Sequence, residues 1–279
     1  INILKDSGAY VEPKNKIAKI PSHLVKEALA SIPSRIDLYA RNPKFNMKLE
    51  GKRVYFGTAG ITPKVIDLDT GEQRDALRKD AEDFARLANA LDNISFYMPV
   101  PNVSDAPSAV ADVHVFAITF NKVEKNIFEP GWSSGAAGAR YFVRMAAAVA
   151  GGMEELRKKP IVSGTGAPVS PLCHDELGLG WLTEFARNKL PYCVLSEPMG
   201  GACAPATFAG STLIMNAEVL SGVVISQLIN KGTPVIYGGS VLPIDMKRAN
   251  ACLGAPETGL TAAAATQLAQ FYDMPSCSL

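Results

Sequence analysis

Short apolar runs alternate with longer segments of helical periodicity from about residue 94 onward, and this alternation limits the possible folds more than any other feature of the sequence. An apolar run, a helix and a second apolar run are typical of parallel strands joined by a helical crossover. Such a chain forms a parallel sheet that is covered by helices. The predicted strands span 94–100, 123–128, 160–164, 192–196 and 234–239, with a further strand from 275. The predicted helices span 106–119, 138–150, 175–188, 207–230 and 257–272.

Polar segments rich in glycine and proline follow several predicted strands, and they favour one of two parallel folds. A doubly wound open sheet concentrates such segments at one switch point, usually with a Gly-rich phosphate turn, whereas a barrel uses most of its strand ends. No G-x-G-x-x-G follows the first strand. We therefore predict an α/β fold, a parallel (β/α) TIM-type barrel that is incomplete at its C-terminus, with an N-terminal cap region.

The predicted domains follow from the same pattern. Residues 1–90 form the cap, which contains a helix, a β-hairpin from strands at 53–57 and 64–68, and a second helix. Residues 91–279 form the first five to six β/α units of the barrel. Because this number of strands cannot close a barrel, we expect the chain to be part of a longer protein and to self-associate as a homo-oligomer through its open edges.

Charge and cysteine content exclude several classes of function. A formal net charge of +1 is unlike that of a nucleic-acid or membrane-surface protein. The five cysteines show no C-x-x-C spacing, so we predict neither a disulfide framework nor a metal site. No signal peptide and no uninterrupted apolar run of membrane-spanning length is evident. We expect a cytoplasmic protein with no nucleic-acid and no membrane partner.

Two carboxylates directly follow predicted strands, where barrel enzymes place their catalytic groups. Glu197 follows the fourth strand and Glu129 the second. Either could act as a general acid or base or neutralise a cationic substrate, and each is our candidate catalytic residue. The alternative for both is a loop carboxylate or a structural ion pair. Trp132 and Met199, in the same two segments, are candidate substrate-binding residues.

Aromatic residues near the strand ends could form a cage for a quaternary ammonium ion through cation–π attraction, or could simply belong to the core. They are Phe96, Tyr97, Phe128, Trp132 and Tyr237. We take Phe96 and Tyr237, with Trp132, as candidate substrate-binding residues.

Three further polar positions leave alternatives open. His174 opens a predicted helix before Asp175 and Glu176, and we add it to the candidate substrate-binding residues although the cluster lacks metal-ligand spacing. Asn216 and Glu218 fall within a helical run. If buried, they need hydrogen-bond partners, and if exposed, they are ordinary solvated residues.

A further set of short segments runs along the chain in a characteristic order and spacing: Ile20-Pro21, Pro33-Ser34-Arg35, Asp112-Val113-His114, 157–161, Ser170-Pro171-Leu172, Val194-Leu195-Ser196, 216–222, 256–260 and Ala269-Gln270-Phe271-Tyr272. Together they resemble the trimethylamine methyltransferase superfamily of corrinoid-dependent amine methyltransferases. The resemblance implies a β/α barrel that moves a methyl group from a tertiary or quaternary amine to cob(I)alamin. It also implies that a separate corrinoid protein carries the cobalamin, so that this chain binds no cofactor directly.

Two departures from the family pattern bear on the substrate. The trimethylamine branch carries pyrrolysine just beyond the residue at which this sequence ends. Glu197 stands where the trimethylamine enzymes have an apolar residue, which would suit a different substrate such as glycine betaine, or reflect loop variation. The alternatives are a barrel that binds an amine or a partner without catalysis, and an unrelated barrel enzyme such as a lyase.

Overall fold

The computed structural model describes residues 1–131 and 134–278, which belong to two compact units. The terminal unit combines residues 1–36 with the chain from residue 166 onward, and the central unit holds residues 37–165. In chain order the helices are α1 (Asn2–Asp6), α2 (Ser22–Ser31), α3 (Arg78–Ala90), α4 (Ala111–Lys122), α5 (Gly135–Ala150), α6 (Met153–Lys158), α7 (Glu176–Arg187), α8 (Phe208–Ile229) and α9 (Pro256–Phe271). The strands are β1 (Tyr10–Glu12), β2 (Ile17–Lys19), β3 (Ile36–Leu38), β4 (Met47–Leu49), β5 (Lys64–Ile66), β6 (Gln73–Asp75), β7 (Phe96–Tyr97), β8 (Asn126–Glu129), β9 (Val162–Gly166), β10 (Tyr192–Ser196), β11 (Met199–Gly200), β12 (Val235–Gly239), β13 (Leu242–Asp245), β14 (Asn250–Ala251) and β15 (Ser276–Cys277).

The central unit contains three of the predicted strands, and they pair in parallel as predicted. Phe96 of β7 aligns with Asn126 of β8, and Ile127 of β8 aligns with Val162 of β9. Strand β7 is shorter than the predicted 94–100 because Pro99 lacks the N–H group that a strand ladder requires. Helices α4 and α5 pack together through aromatic rings, since Phe142 lies 5.0 Å from Phe116 and 5.3 Å from Phe120 between ring centroids.

The β-hairpin predicted in the cap from strands at 53–57 and 64–68 forms instead from β5 at 64–66 and β6 at 73–75. Strand β5 pairs antiparallel with β6, and the turn signal at Asp69-Thr70-Gly71 lies between them. The strand predicted at 53–57 is wrong, because only Gly57 makes a bridge, to Phe96. A Cβ atom at Gly57 would lie 2.3 Å from the Phe96 ring, so the chain crosses this ring closely and then leaves the strand. Val54, which precedes the bridge, is exposed and has no strand partner.

The buried side chain of Lys125 caps the C-terminal end of helix α3, a contact that was not predicted from the sequence. The Nζ atom of Lys125 donates to the carbonyl oxygens of Ala88 and Leu91, each at 2.6 Å, and lies 4.4 Å from the centre of the Phe45 ring. The last carbonyls of a helix have no partner within the helix and carry the negative end of its dipole. The lysine therefore stabilises the end of α3 from the neighbouring segment of chain.

The terminal unit contains the remaining predicted strands, and they too pair in parallel. Strand β10 pairs with β12 along its whole length, from Tyr192 opposite Val235 to Ser196 opposite Gly239. Strand β12 pairs with β15, where Gly238 aligns with Cys277. The predicted helices at 175–188, 207–230 and 257–272 correspond to α7, α8 and α9. The parallel α/β architecture predicted from the sequence is therefore confirmed within each unit.

Helix α8 is the longest helix among the described residues and lies against β10 and β12. By length and composition alone it could cross a bilayer, although Asn216, Glu218 and Gln227 interrupt its apolar run. The core helix of a soluble protein passes the same test. Helices α2, α7 and α9 also contact α8, and Met215, Val219 and Val223 along it are fully buried.

Gly222 marks the closest approach of α8 to strand β10. A Cβ atom at this position would lie 2.7 Å from Cγ1 of Val194, well inside van der Waals contact. Gly259 in α9 is a helical glycine of the opposite kind, because a Cβ atom there would meet no other atom within 4 Å. The two positions separate the effect of packing from the effect of helix propensity.

We predict that Gly222→Ala destabilises the protein by about 1–3 kcal/mol, because the added methyl group forces α8 away from β10. Gly259→Ala should instead stabilise it by roughly 0.5–1 kcal/mol, since alanine has the higher helix propensity. Urea denaturation of both variants measures the difference. Adding Val194→Ala to Gly222→Ala should recover part of the loss, and two equally stable glycine variants would contradict the close approach.

Candidate functional site

Glu197 follows β10 on the face of the strand that points away from the helices. On the helix face, the Tyr192 ring packs on Phe185 of α7 and the Ser196 hydroxyl bonds to Glu218 of α8. Because side chains alternate along a strand, Leu195 and Glu197 belong to the opposite face. The Oε1 atom of Glu197 is buried and has no hydrogen-bond partner among the described residues.

The electrostatics of Glu197 follow from this burial. Loss of hydration raises the pKa of the Glu197 carboxyl to about 7. The thiol of Cys277 on β15 is near enough for the Glu197 charge to raise its pKa, against the larger lowering by a hydrogen bond with Cys193. The carboxyl of Glu197 therefore changes its charge near neutral pH.

Glu129 is the last residue of β8 in the central unit and is 5% exposed. Its Oε1 atom accepts a hydrogen bond of 3.3 Å from the N–H group of Gly131, while Oε2 is buried and has no partner among the described residues. Burial raises the pKa of the Glu129 carboxyl to about 8, the Gly131 bond opposes this rise, and the charge of Asp112 adds to it. Glu129 is therefore mainly protonated at neutral pH.

Aromatic residues surround the end of β8 in the central unit. The Phe96 ring lies edge-on to Phe128 with 5.5 Å between centroids and is half-buried. Tyr97 is fully buried, and loss of hydration raises the pKa of its hydroxyl above the usual range. Trp132 lies outside the described residues. The substrate-binding roles of Phe96 and Trp132 stay predictions.

Tyr237 lies on the helix face of β12, unlike Glu197 in the same unit. Its hydroxyl donates a 2.9 Å hydrogen bond to Oδ1 of Asn216 on α8, and Nδ2 of Asn216 donates to the Tyr272 hydroxyl at 3.0 Å. The three side chains form a partly buried chain of hydrogen bonds that links β12, α8 and the residue after α9. The predicted contact of Tyr237 with substrate stays a prediction.

His174 and Met199 lie in connecting segments of the terminal unit, His174 before helix α7 and Met199 in the short strand β11. The Nε2 atom of His174 lies 2.7 Å from the Ser221 hydroxyl, which itself donates to the carbonyl oxygen of Glu218. The Ser221 hydroxyl therefore accepts from Nε2, and this bond fixes the tautomer. Burial lowers the pKa of His174, against the nearby charges of Glu218 and Asp175. Met199 is half-buried in the short strand β11.

Glu218 is a buried polar residue, for which the sequence left both burial with partners and exposure open. It is 1% exposed, and three donors converge on its carboxylate. The hydroxyls of Ser170 and Ser196 donate to Oε2 at 2.9 and 2.5 Å, and the Leu172 N–H group donates to Oε1 at 2.8 Å. The signal in the sequence was a lone carboxylate within an apolar helix, which requires partners if it is buried.

The three buried carboxylates differ in what they can do chemically. Glu218 is fully hydrogen-bonded, as expected of a structural group. Glu197 and Glu129 each keep one buried oxygen without a partner in the described chain, and burial raises the pKa of both into the neutral range. Such groups can exchange a proton near pH 7 or bind a cation. Whether these two face a common cavity stays a prediction.

The fold and these carboxyl groups define a class: an α/β protein with parallel strands whose titratable groups lie at strand carboxyl ends, as in barrel enzymes. The sequence matches the trimethylamine methyltransferase (MTTB) family over residues 1–279. The chain belongs to this family, which confirms the resemblance seen in its motifs.

Individual relatives are similar over nearly the whole chain. Trimethylamine methyltransferase MttB of Desulfitobacterium hafniense is 39% identical over 279 residues, which are 99% of this chain and 55% of that protein. MttB of Methanosarcina barkeri is 36% identical over 98% of this chain and 56% of its own length. Glycine betaine methyltransferase of D. hafniense is 32% identical over 100% of this chain and 57% of its length. The chain thus spans about half the length of these relatives.

Solved structures support the fold alone. The monomethylamine methyltransferase MtmB of Methanosarcina barkeri superimposes with a TM-score of 0.65 at 13% identity, covering 99% of this chain and 59% of that one. The hydroxylamine complex of MtmB gives a TM-score of 0.66 with the same coverage. The α/β fold with parallel strands is therefore shared with MtmB over the length of this chain.

We predict that Glu129→Gln changes how stability depends on pH. With its raised pKa, the folded protein keeps a proton on Glu129 that the unfolded chain has lost, so the wild type loses stability as pH rises from about 5 to about 8. Glutamine keeps an oxygen for the Gly131 N–H group but does not titrate. The variant should therefore gain on the order of 4 kcal/mol relative to wild type between pH 5 and pH 9.

Urea unfolding at a series of pH values measures this gain. Glu154→Gln, at an exposed position of α6, is the matched control and should follow the wild-type curve. A constant difference between Glu129→Gln and wild type across this range would show that Glu129 does not keep its proton in the folded state.

Proposed function

We propose that the protein to which this chain belongs transfers a methyl group from a methylated amine, trimethylamine or a betaine such as glycine betaine, to a corrinoid protein. The names of the relatives support the methyltransferase class and both kinds of substrate. The observation that carries the proposal within this chain is the buried oxygen of Glu197, which lacks a partner among the described residues. A cationic methylated nitrogen would supply the missing counter-charge.

The chemistry of the substrate explains why a carboxylate suits this position. A quaternary ammonium ion has no N–H group, so it is recognised by charge and by shape rather than by hydrogen bonds. A carboxylate attracts it strongly only where water is excluded, because water screens the interaction. The inner face of β10 provides such a position, since burial has already removed much of the hydration of Glu197.

The residues of this chain would bind and orient the amine, and the cobalamin of the partner would accept the methyl group. When bound, cob(I)alamin supplies the nucleophile, and we propose that a separate corrinoid protein carries it. The walls of the site would hold the C–N bond in line with the approaching acceptor and exclude water. Glu129, protonated at neutral pH, would be a candidate proton donor to the departing amine.

Two further features belong to the same proposal. The parallel strands would be part of a complete TIM-type barrel, which leaves no open strand edge, and a homo-oligomer would then form through exposed apolar surface of the barrel wall. A protein that binds an amine or a partner without catalysis is the second candidate, because Glu197 could bind a cation without any transfer. Methylation of cob(I)alamin, followed by its absorbance, separates the two candidates.

The charge of Glu197 distinguishes between the proposed substrates. Ionised Glu197 attracts a simple ammonium ion but repels the carboxylate of a betaine, whereas protonated Glu197 can donate a hydrogen bond to that carboxylate. A simple cation should therefore bind better above pH 7, and a betaine held through its carboxylate should bind better below it. The thiol of Cys277 lies near this carboxyl and makes a hydrogen bond with the thiol of Cys193.

We predict that the affinity for tetramethylammonium, whose charge is independent of pH, rises roughly tenfold between pH 6 and pH 8 in the wild type. Glu197→Gln should abolish the rise and bind as weakly as the wild type at low pH. Titration calorimetry measures both, and Glu176→Gln, at an exposed position of α7, is the control. Equal affinities of wild type and Glu197→Gln at pH 8 would remove Glu197 from the amine site.

A further inference from the structure

The loop 166–175 and the end of strand β10 are tied to the same side chain, that of Glu218 in helix α8. Ser170 and Leu172 of the loop donate to its carboxylate, and so does Ser196, the last residue of β10. His174, in the same loop, is held one turn further along α8 by Ser221. Both segments therefore take their position from one face of one helix.

The burial of Glu218 makes these bonds interdependent. A buried carboxylate is costly unless its oxygens accept hydrogen bonds, and here all three donors are uncharged. Ser170 and Ser196 share the Oε2 atom, so the loss of one leaves the other to satisfy it alone. A substitution of Ser170 in the loop should therefore alter the hydrogen bond between Ser196 at the strand end and Glu218.

The strand end is the segment that carries Glu197. On the side of β12, the Ser196 carbonyl accepts from the Ser240 N–H group at 3.2 Å and the Pro198 carbonyl accepts from Leu242 at 3.1 Å. These backbone bonds hold the strand in its sheet but do not act on the side chains at its end. The bond from Ser196 to Glu218 lies on the helix face and opposes a local twist of the strand end. It thereby fixes the direction in which Glu197 points.

We propose that Glu218 is a positioning residue that holds Glu197 in the site through Ser196 and couples it to the loop 166–175. The inference rests on the role proposed above for Glu197. It assigns Glu218 no contact with substrate. The loop and the carboxyl group would move as one structural unit, although they are distant in sequence.

The test measures the titration of Glu197 itself, which requires neither amine nor corrinoid protein. In protein labelled with ¹³C at the glutamate carboxyl groups, the Glu197 signal, assigned by its loss in Glu197→Gln, should titrate near pH 7 in the wild type. Ser196→Ala should lower its midpoint by about one pH unit, because a rotated strand end admits water to the carboxyl group. Ser170→Ala should lower it by roughly half as much, and Ser170→Thr, which keeps the hydroxyl, should restore it.

Ser226→Ala is the matched control, because it removes a buried hydroxyl in α8 that makes no hydrogen bond with the described residues. It should leave the midpoint of Glu197 unchanged. If Ser196→Ala and Ser170→Ala lower the melting temperature but not this midpoint, Glu218 is merely structural and the proposal is overturned. A shifted midpoint with unaltered tetramethylammonium affinity would support the positioning and instead contradict the proposed role of Glu197.

Discussion

The terminal unit depends on how closely helix α8 approaches strand β10. At Gly222 only the side chain of Val194 lies between the two elements, and Val219 and Val223 of the helix are packed without access to solvent. Water cannot hydrate a polar group within such a contact, so each polar side chain on this side of α8 needs a partner in the protein. One steric constraint thus determines where hydrogen bonds must form.

Three polar residues of α8 meet this requirement, whereas the buried Ser226 hydroxyl has no hydrogen-bond partner among the described residues. Asn216 accepts from Tyr237 and donates to Tyr272, and two residues later Glu218 binds its three donors. Near its end, Gln227 donates to the Thr233 carbonyl and accepts from Gly232 and from Ser31 of α2. A helix that is apolar enough to pass a membrane-span test therefore fixes loops and strand ends through its few polar side chains.

The strands and long helices could be predicted because their signal is local. A short apolar run such as 192–196, between a helix and a glycine-rich segment, is recognisable without knowledge of its neighbours. The prediction at 53–57 failed for the same reason, since apolar residues there alternate as in a strand but only Gly57 pairs with a neighbouring strand. A strand forms only when a second segment pairs with it, and the residues of one segment do not indicate whether that partner is present.

The candidate site could be predicted only in part, because burial and pairing are tertiary properties. Position after a strand was enough to select Glu197 and Glu129, but it could not place Tyr237 on the helix face or bring Ser170 and Ser196 to Glu218. Lys125 was likewise missed, since its partners are carbonyl oxygens that no side-chain pattern reveals.

Comparison of the buried carboxyl groups separates structure from chemistry. A buried carboxylate is compatible with a stable core when, as in Glu218, each of its oxygens accepts a hydrogen bond. Glu197 and Glu129 leave an oxygen unsatisfied among the described residues, and each lies at the end of a parallel strand. A glutamine or an apolar residue at either position would lower the cost of burial, so stability alone does not account for the carboxylates. In the function proposed above, a ligand or a proton completes each site, and for Glu197 a methylated ammonium ion has the required charge.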